Sequence, residues 1–210
     1  FNALTALDYG SLTYSHNVAI GFEAGKLITT ATRNTIIGGQ AGDAMTTGGD
    51  NVAIGTNALG AQTIANTNVA IGVGAMTTNV AADRNVAVGH EALFSMTAAT
   101  TADHYNVAVG YNAGRAITSG IRNVLMGGLA GDALTTGNFN VAIGHESLSV
   151  EDTGNYNVAV GYNALKVLDA GDAYNTAVGF HAGLTMTTGV QNTIIGGLAC
   201  LLYTSPSPRD

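Results

Sequence analysis

The 210-residue chain has a net charge of −7, with 10% charged and 46% hydrophobic residues. It is not basic enough to suggest a nucleic-acid-binding protein, and it is not polar enough to suggest a disordered one. No apolar stretch approaches the roughly 18 residues that a membrane-spanning helix needs. We therefore expect a folded chain with no nucleic-acid partner and no membrane span in this sequence.

We expect the first sixteen residues to be the tail of a coil that starts before the sequence does. Phe1-Asn2-Ala3-Leu4 matches Tyr162-Asn163-Ala164-Leu165, which follows the glycine of a motif described below. The segment Tyr9–Tyr14 adds length to this first coil, and Phe94–Tyr105 does the same further along. We expect both segments to leave the periodic structure as surface loops.

A five-residue motif recurs along the chain and organises it. The motif opens with Asn and closes with Gly four residues later, as in Asn51-Val52-Ala53-Ile54-Gly55. Copies are 17 residues apart, except for one step of 21 after Asn85 and one of 18 after Asn157. The eleven copies open at Asn17, Asn34, Asn51, Asn68, Asn85, Asn106, Asn123, Asn140, Asn157, Asn175 and Asn192, and close at Gly21, Gly38, Gly55, Gly72, Gly89, Gly110, Gly127, Gly144, Gly161, Gly179 and Gly196. A fixed period of this length predicts a solenoid.

Each coil is numbered here from its Asn, position 1; position 17 is the residue directly before the next Asn. Positions 2 to 4 are apolar and rich in β-branched residues, and Gly follows, which favours a strand over a helix. Position 8 is Ala in ten coils, which indicates a narrow interior. We predict an all-β parallel solenoid (a β-roll) of about 11 to 12 coils. Each coil is expected to hold two short strands, at positions 1 to 5 and near positions 7 to 11.

Strand geometry divides the apolar positions between two faces. Positions 2 and 4 point one way and position 3 the other. All three are apolar, which is typical of a strand covered on both sides. We expect position 3 to form an outer apolar stripe that something beyond the coil covers, including Ala19, Ile36, Ala53, Ala70 and Leu125.

The motif asparagines have a structural interpretation. Coils of this kind stack about 4.8 Å apart, which gives a rod roughly 55 Å long. The position-1 side chains then lie above one another, and amide ladders stabilise stacked parallel strands. We therefore predict that the Asn and Gly residues of the motif hold the coils together.

Residues that carry chemistry are scattered rather than grouped. His90 and His145 share position 6 but lie three coils apart, too far to share a metal ion. Asp43 and Asp132 are five coils apart and cannot form a catalytic carboxylate pair. No nucleophile with a partnered base is recognisable. We predict a non-enzymatic protein with no cofactor and no metal site.

Two columns could contact a ligand. Thr recurs at positions 13 and 14, as in Thr46-Thr47, which is typical of ice-binding surfaces but also of turns; Val80-Ala81 and Asp152 interrupt it. Position 17 carries a column of aromatic residues mixed with Arg33, Arg84 and Arg122, which could bind a glycan or protein receptor, or stack between coils. Its aromatic members are Tyr105, Phe139, Tyr156 and Tyr174.

The last eleven residues break the pattern. After Ala199 the repeat predicts Gly-Asp-Ala, as at 42–44 and 131–133, but Cys200–Asp210 follows, with the only Cys and both Pro of the chain. This segment resembles the conceptual translation of a transposase-type sequencing adapter. We interpret 200–210 as an artefactual, unstructured tail and 1–199 as one continuous repeat array, truncated at both ends.

The pattern Asn-Val-Ala-Ile-Gly-x-x-Ala-Leu resembles the YadA-like head repeats of trimeric autotransporter adhesins. It resembles equally the repeat arrays of phage tail fibres that end in an endosialidase-type chaperone. Either resemblance implies a left-handed roll, a homotrimer, an extracellular position on a bacterial surface or virion, and attachment to a host or surface. Two alternatives stay open: an ice-binding or other repetitive-surface-binding solenoid, and a tail-fibre depolymerase with carboxylates near Tyr9–Tyr14 or Phe94–Tyr105.

Overall fold

The computed structural model describes residues 1–7, 14–97 and 102–200, and it confirms the all-β parallel solenoid. Eleven strands form one parallel sheet, and two further strands form a small second sheet. The large sheet contains β1 (Val18–Ile20), β2 (Thr35–Ile37), β3 (Val52–Ile54), β4 (Val69–Ile71), β6 (Val86–Val88), β8 (Val107–Val109), β9 (Val124–Met126), β10 (Val141–Ile143), β11 (Val158–Val160), β12 (Thr176–Val178) and β13 (Thr193–Ile195). The small sheet pairs β5 (Ala82–Asp83) with β7 (Ala102–Asp103). Within the described residues, no helix is long and apolar enough to cross a bilayer.

In the large sheet, each residue pairs with the residue at the same motif position of the next coil. Val52 pairs with Val69 across a regular coil, and Val86 pairs with Val107 across the 21-residue coil. The extra residues are therefore accommodated away from the sheet. Of the two predicted loop segments, residues 8–13 and 98–101 lie outside the described residues. One extra residue lies between β7 and Asn106. Asp103 pairs with Asp83, but Asp103 is three residues before its motif Asn and Asp83 is two residues before its own.

The predicted second strand near positions 7 to 11 is wrong, because residues there form turns. Positions 7 and 9 have positive φ, for example 57° at Asn57 and 52° at Leu59, so the backbone folds tightly instead of extending. The turn is still hydrogen bonded between coils: the Leu59 N–H donates to Ala75 O at 3.1 Å. One strand per coil therefore suffices to stack the solenoid.

The two strand faces are the reverse of what we expected. Position 3 points inward and is fully buried, as at Ala53 and Leu125. Positions 2 and 4 form the outer face, where Ile71 is 37% and Met126 41% exposed. The reason is geometric. Side chains alternate along a strand, so either the middle residue or the two flanking residues point inward, and the narrow coil has room for only one small side chain, such as Ala. The apolar stripe that needs a cover thus consists of positions 2 and 4.

The interior is packed by exchanging volume between positions 3 and 9. Five of the eleven coils carry Ala at position 3 and Leu or Met at position 9, as in Ala53 with Leu59, both fully buried. The coil from Asn123 reverses this arrangement, with Leu125 at position 3 and Gly131 at position 9. A Cβ added to Gly131 would lie 2.8 Å from Leu125 Cδ2. Leu125 thus fills the space that a position-9 side chain fills elsewhere.

The motif glycine is required by close approach of neighbouring coils. Gly55 has a φ of 131°, and a Cβ on it would lie 2.5 Å from Gly72 O. The same arrangement repeats from coil to coil, so a side chain at position 5 would force the coils apart. This explains why Gly closes the motif each time.

The exchange of volume predicts a rescue experiment. Leu125→Ala should destabilise the protein by about 2–5 kcal/mol because it leaves a cavity. Gly131→Leu alone should also destabilise it, because the new side chain meets Leu125. The double variant recreates the Ala–Leu pair of other coils and should be more stable than either single variant, measured by denaturant unfolding. Additive losses in the double variant would contradict the volume exchange.

Candidate functional site

The motif asparagines form a hydrogen-bonded ladder along the buried edge of the sheet. The Asn51 N–H and Nδ2 donate to Asn34 Oδ1 at 2.9 and 3.1 Å. Asn51 Nδ2 also donates to Ala65 O at 3.0 Å, which closes its own coil, and Asn51 Oδ1 accepts from the Asn68 N–H at 2.9 Å. Backbone links of this type run from Asn17 to Asn192. These side chains are fully engaged in structure.

A second polar ladder, which sequence reasoning missed, lies just before the first. Each of its side chains lies two residues before a motif Asn, and its oxygen accepts a hydrogen bond from a backbone N–H of the preceding coil. The oxygen of a motif Asn accepts from the following coil, so the two ladders run in opposite directions. The Asn66 N–H donates to Asp83 Oδ1 at 2.6 Å, and the Asn138 N–H donates to Asn155 Oδ1 at 2.6 Å. The available signal was the recurrence of Asn or Asp at this position in some coils.

The threonines at position 13 also bond between coils. Thr29 Oγ1 donates to Thr46 O at 3.1 Å, and Thr46 Oγ1 donates to Thr63 O at 3.0 Å. Thr118 and Thr135 repeat the pattern. Hydroxyls used in this way favour the turn interpretation of the Thr column over an ice-binding one.

The structure brings together three of the four aromatic residues predicted at position 17. Phe139 and Tyr156 stack with ring centroids 5.2 Å apart, and Tyr156 and Tyr174 stack at 4.7 Å. The Arg122 guanidinium carbon lies 5.4 Å from the Phe139 ring centroid. Tyr105 stands apart, and its hydroxyl donates to Asp103 at 3.1 Å. The stacked rings cover one another's faces, which leaves mainly ring edges for any ligand.

A further column of rings at position 6 was not predicted. We call it the ring column: Phe22, His90, Tyr111, His145, Tyr162 and Phe180. His90 stacks on Tyr111 at 5.4 Å, and His145 stacks on Tyr162 at 5.6 Å. Tyr162 stacks in turn on Phe180 at 5.4 Å. The four Phe and Tyr side chains are about half exposed. The sequence did not predict this column because position 6 is Gly, Thr or Val in other coils.

Ion pairs flank the ring column at positions 7 and 10. Lys166 Nζ lies 2.6 Å from Glu146 Oε2, and this pairing lowers the pKa of Glu146. His145 Nδ1 is 3.9 Å from the same carboxylate. Burial raises the pKa values of Asp43 and Asp132, which stand on this side of the coils, each at position 10.

The structure also assembles three carboxylates that the sequence did not group. The ligand atoms of Glu151, Asp152 and Asp169 lie within 4.8 Å of one another. Glu151 is fully buried at position 12, and it accepts from the Gly154 N–H at 2.7 Å and the Ala170 N–H at 3.1 Å. Both of its oxygens are thus bound by backbone. Burial raises the pKa of Glu151 despite these bonds.

No protein-family model, curated protein or solved structure matches this chain. The resemblance to adhesin heads and tail-fibre arrays accordingly rests on the repeated motif alone.

The asparagine ladder can be tested by removing one rung. Asn123→Ala leaves the Asn140 N–H and the Gly137 carbonyl without their partners. Each buried unpaired group costs about 1–3 kcal/mol, so we expect a loss of about 3 kcal/mol or more in unfolding free energy. Asn57→Gly is the control, since Asn57 is exposed and Gly accepts its positive φ. Equal losses in the two variants would contradict a ladder that holds the coils.

Glu151 predicts a pH dependence of stability. The pKa of Glu151 is raised by burial above the value of about 4.3 typical of an unfolded chain. The folded protein therefore binds this proton more readily, and its stability relative to Glu151→Gln should increase as the pH falls from 7 through the raised pKa. Thermal unfolding midpoints of both proteins between pH 7 and pH 5 provide the measurement. A difference between them that stays constant with pH would refute the assignment.

Proposed function

We propose that this chain is a non-enzymatic segment of an extracellular fibre, of the bacterial adhesin or phage tail-fibre kind, that acts as a rigid spacer and attachment surface. The observation that carries the proposal is the outer face of the large sheet. Its position-2 and position-4 columns are apolar in coil after coil and are half-buried or exposed, as at Ile71 and Met126. A stripe of this length on a protein surface is a typical interaction site.

Two or more further copies of the chain are the proposed cover. The stripe is about 50 Å long and about 13 Å wide, or roughly 700 Å², from the spacing of strands and residues. This is close to the roughly 800 Å² per partner of a specific interface. The motif resemblance adds that the copies form a homotrimer. The trimer would place positions 2 and 4, rather than position 3, at the subunit contacts.

The remaining outward columns supply the attachment surface in this proposal. In each coil, position 17 comes just before the strand that carries the apolar stripe, and position 6 comes just after it. Both sets of rings recur along the rod. Repeated shallow contacts with a host glycan or protein receptor would gain affinity through multivalency rather than through a deep pocket. Because the stacked rings offer edges more than faces, a protein receptor suits them better than a glycan that stacks on ring faces.

The assembly is tested by the mass of the purified chain in solution, measured by light scattering. We expect a trimer of the 21.1 kDa chain. Ile54→Lys with Ile71→Lys places charges on the apolar stripe and should yield monomers, because a buried unpaired charge costs more than the contact gains. Thr47→Lys, on an exposed turn, is the matched control and should leave the trimer intact.

A stable, soluble monomer of the unsubstituted chain would overturn the trimer. A trimer that survives both lysines would show that the copies meet through another face.

A further inference from the structure

Two tyrosines of adjacent coils stack on each other at the surface of the solenoid. The Tyr156 and Tyr174 rings have centroids 4.7 Å apart and an angle of 7° between their planes. Their side chains are 41% and 52% exposed, so solvent and small molecules reach both phenols. The pair therefore combines close contact with access.

Hydrogen bonds hold the two coils together on either side of this pair. Just before the pair, Asn155 Nδ2 donates to Asp172 Oδ1, and the backbones of the same two residues form a parallel bridge. Directly after it, the Asn175 N–H donates to Asn157 Oδ1 at 3.2 Å. The fold thus sets the distance between the rings, although the coil that separates them has 18 residues instead of 17.

The other tyrosines have partners of a different kind. In the part of the chain that the structure describes, no other tyrosine stacks on a second tyrosine. Tyr111 stacks on His90, and Tyr162 stacks on His145 and Phe180. The rest contact Arg, Asp or His side chains. A reaction that needs two phenols side by side therefore has one place in these residues.

We propose that Tyr156 and Tyr174 are a site of oxidative cross-linking, where a peroxidase with hydrogen peroxide joins them as an intrachain dityrosine. The oxidant removes one electron and one proton from each phenol, which leaves two tyrosyl radicals. A carbon–carbon bond forms between the ring carbons ortho to the two oxygens, and the hydrogen on each of these carbons moves to its own oxygen. The two electrons and two protons reduce one hydrogen peroxide to two waters.

The stacked geometry favours this coupling over coupling between separate molecules. Radicals held side by side are at a high effective concentration, whereas radicals on different molecules must meet by diffusion. The exposed edges leave both rings room to tilt until the ortho carbons meet. The new bond ties adjacent coils together and restricts the unfolded chain between residues 156 and 174, as a disulfide does. This modification does not depend on the proposed fibre function.

The test treats the purified full chain with a haem peroxidase and a small excess of hydrogen peroxide. Trypsin cleaves after Lys166, so the two tyrosines fall in separate peptides, 123–166 and 167–209. We expect dityrosine fluorescence and a linked pair of these peptides with a mass two hydrogens below their sum. The treated protein should keep the mobility of a single chain in a denaturing gel.

Conservative variants locate the bond. Tyr156→Phe and Tyr174→Phe each keep a ring but remove one phenol, and each should abolish the linked peptides. Tyr162→Phe is the matched control, because it removes another exposed, stacked phenol and should leave the linked peptides unchanged. Phe139 stacks on Tyr156 at 5.2 Å, so Phe139→Tyr combined with Tyr174→Phe should move the bond into peptide 123–166.

Four results would overturn the proposal. One is the absence of linked peptides under conditions that couple free N-acetyltyrosine. Another is their persistence in Tyr156→Phe or Tyr174→Phe. A third is coupling between separate chains only, and the fourth is no bond in the variant that carries Phe139→Tyr, since stacking would then not direct the reaction. Light scattering of the untreated sample reports separately on the proposed fibre assembly.

Discussion

The structure depends on the hydrogen bond between the side-chain oxygen of one motif Asn and the backbone N–H of the next. This bond fixes the register of neighbouring coils, and the Nδ2 bond to the end of the same coil sets where the coil closes. Because both are buried, loss of one partner leaves other buried groups unpaired. The bond from Asn157 to Asn175 survives the 18-residue step, so the ladder tolerates a changed coil length.

Once the coils are held in register, the other columns follow. The motif Gly permits the close approach of coils, and the narrow interior selects Ala or an exchange of volume such as Leu125 with Gly131. Side chains at the same position of adjacent coils then lie above one another. Stacked aromatic rings, threonine hydroxyls bonded to the next coil and paired charges all follow from this single register. They form parallel columns along the surface.

The period and the motif made the solenoid and the strand at positions 2 to 4 predictable from sequence. They did not reveal the inward side of that strand, because Val, Ala and Ile are all apolar and hydrophobicity alone does not orient them. The second strand was mispredicted because Leu59 and Asn57 adopt positive φ, which is uncommon for residues other than Gly. The ring column and the Glu151 cluster depend on which residues adjacent coils align, which is visible only after the register is known.

Hydrogen exchange of the asparagine side chains tests the central claim most directly. In the folded chain, the Nδ2 protons of motif residues such as Asn51 and Asn123 should exchange much more slowly than those of the turn residues Asn57 and Asn112, whose side chains do not join the ladder. Slow exchange that extends evenly over the interior coils would support a continuous ladder. Motif side chains that exchange as fast as Asn57 and Asn112 would contradict it.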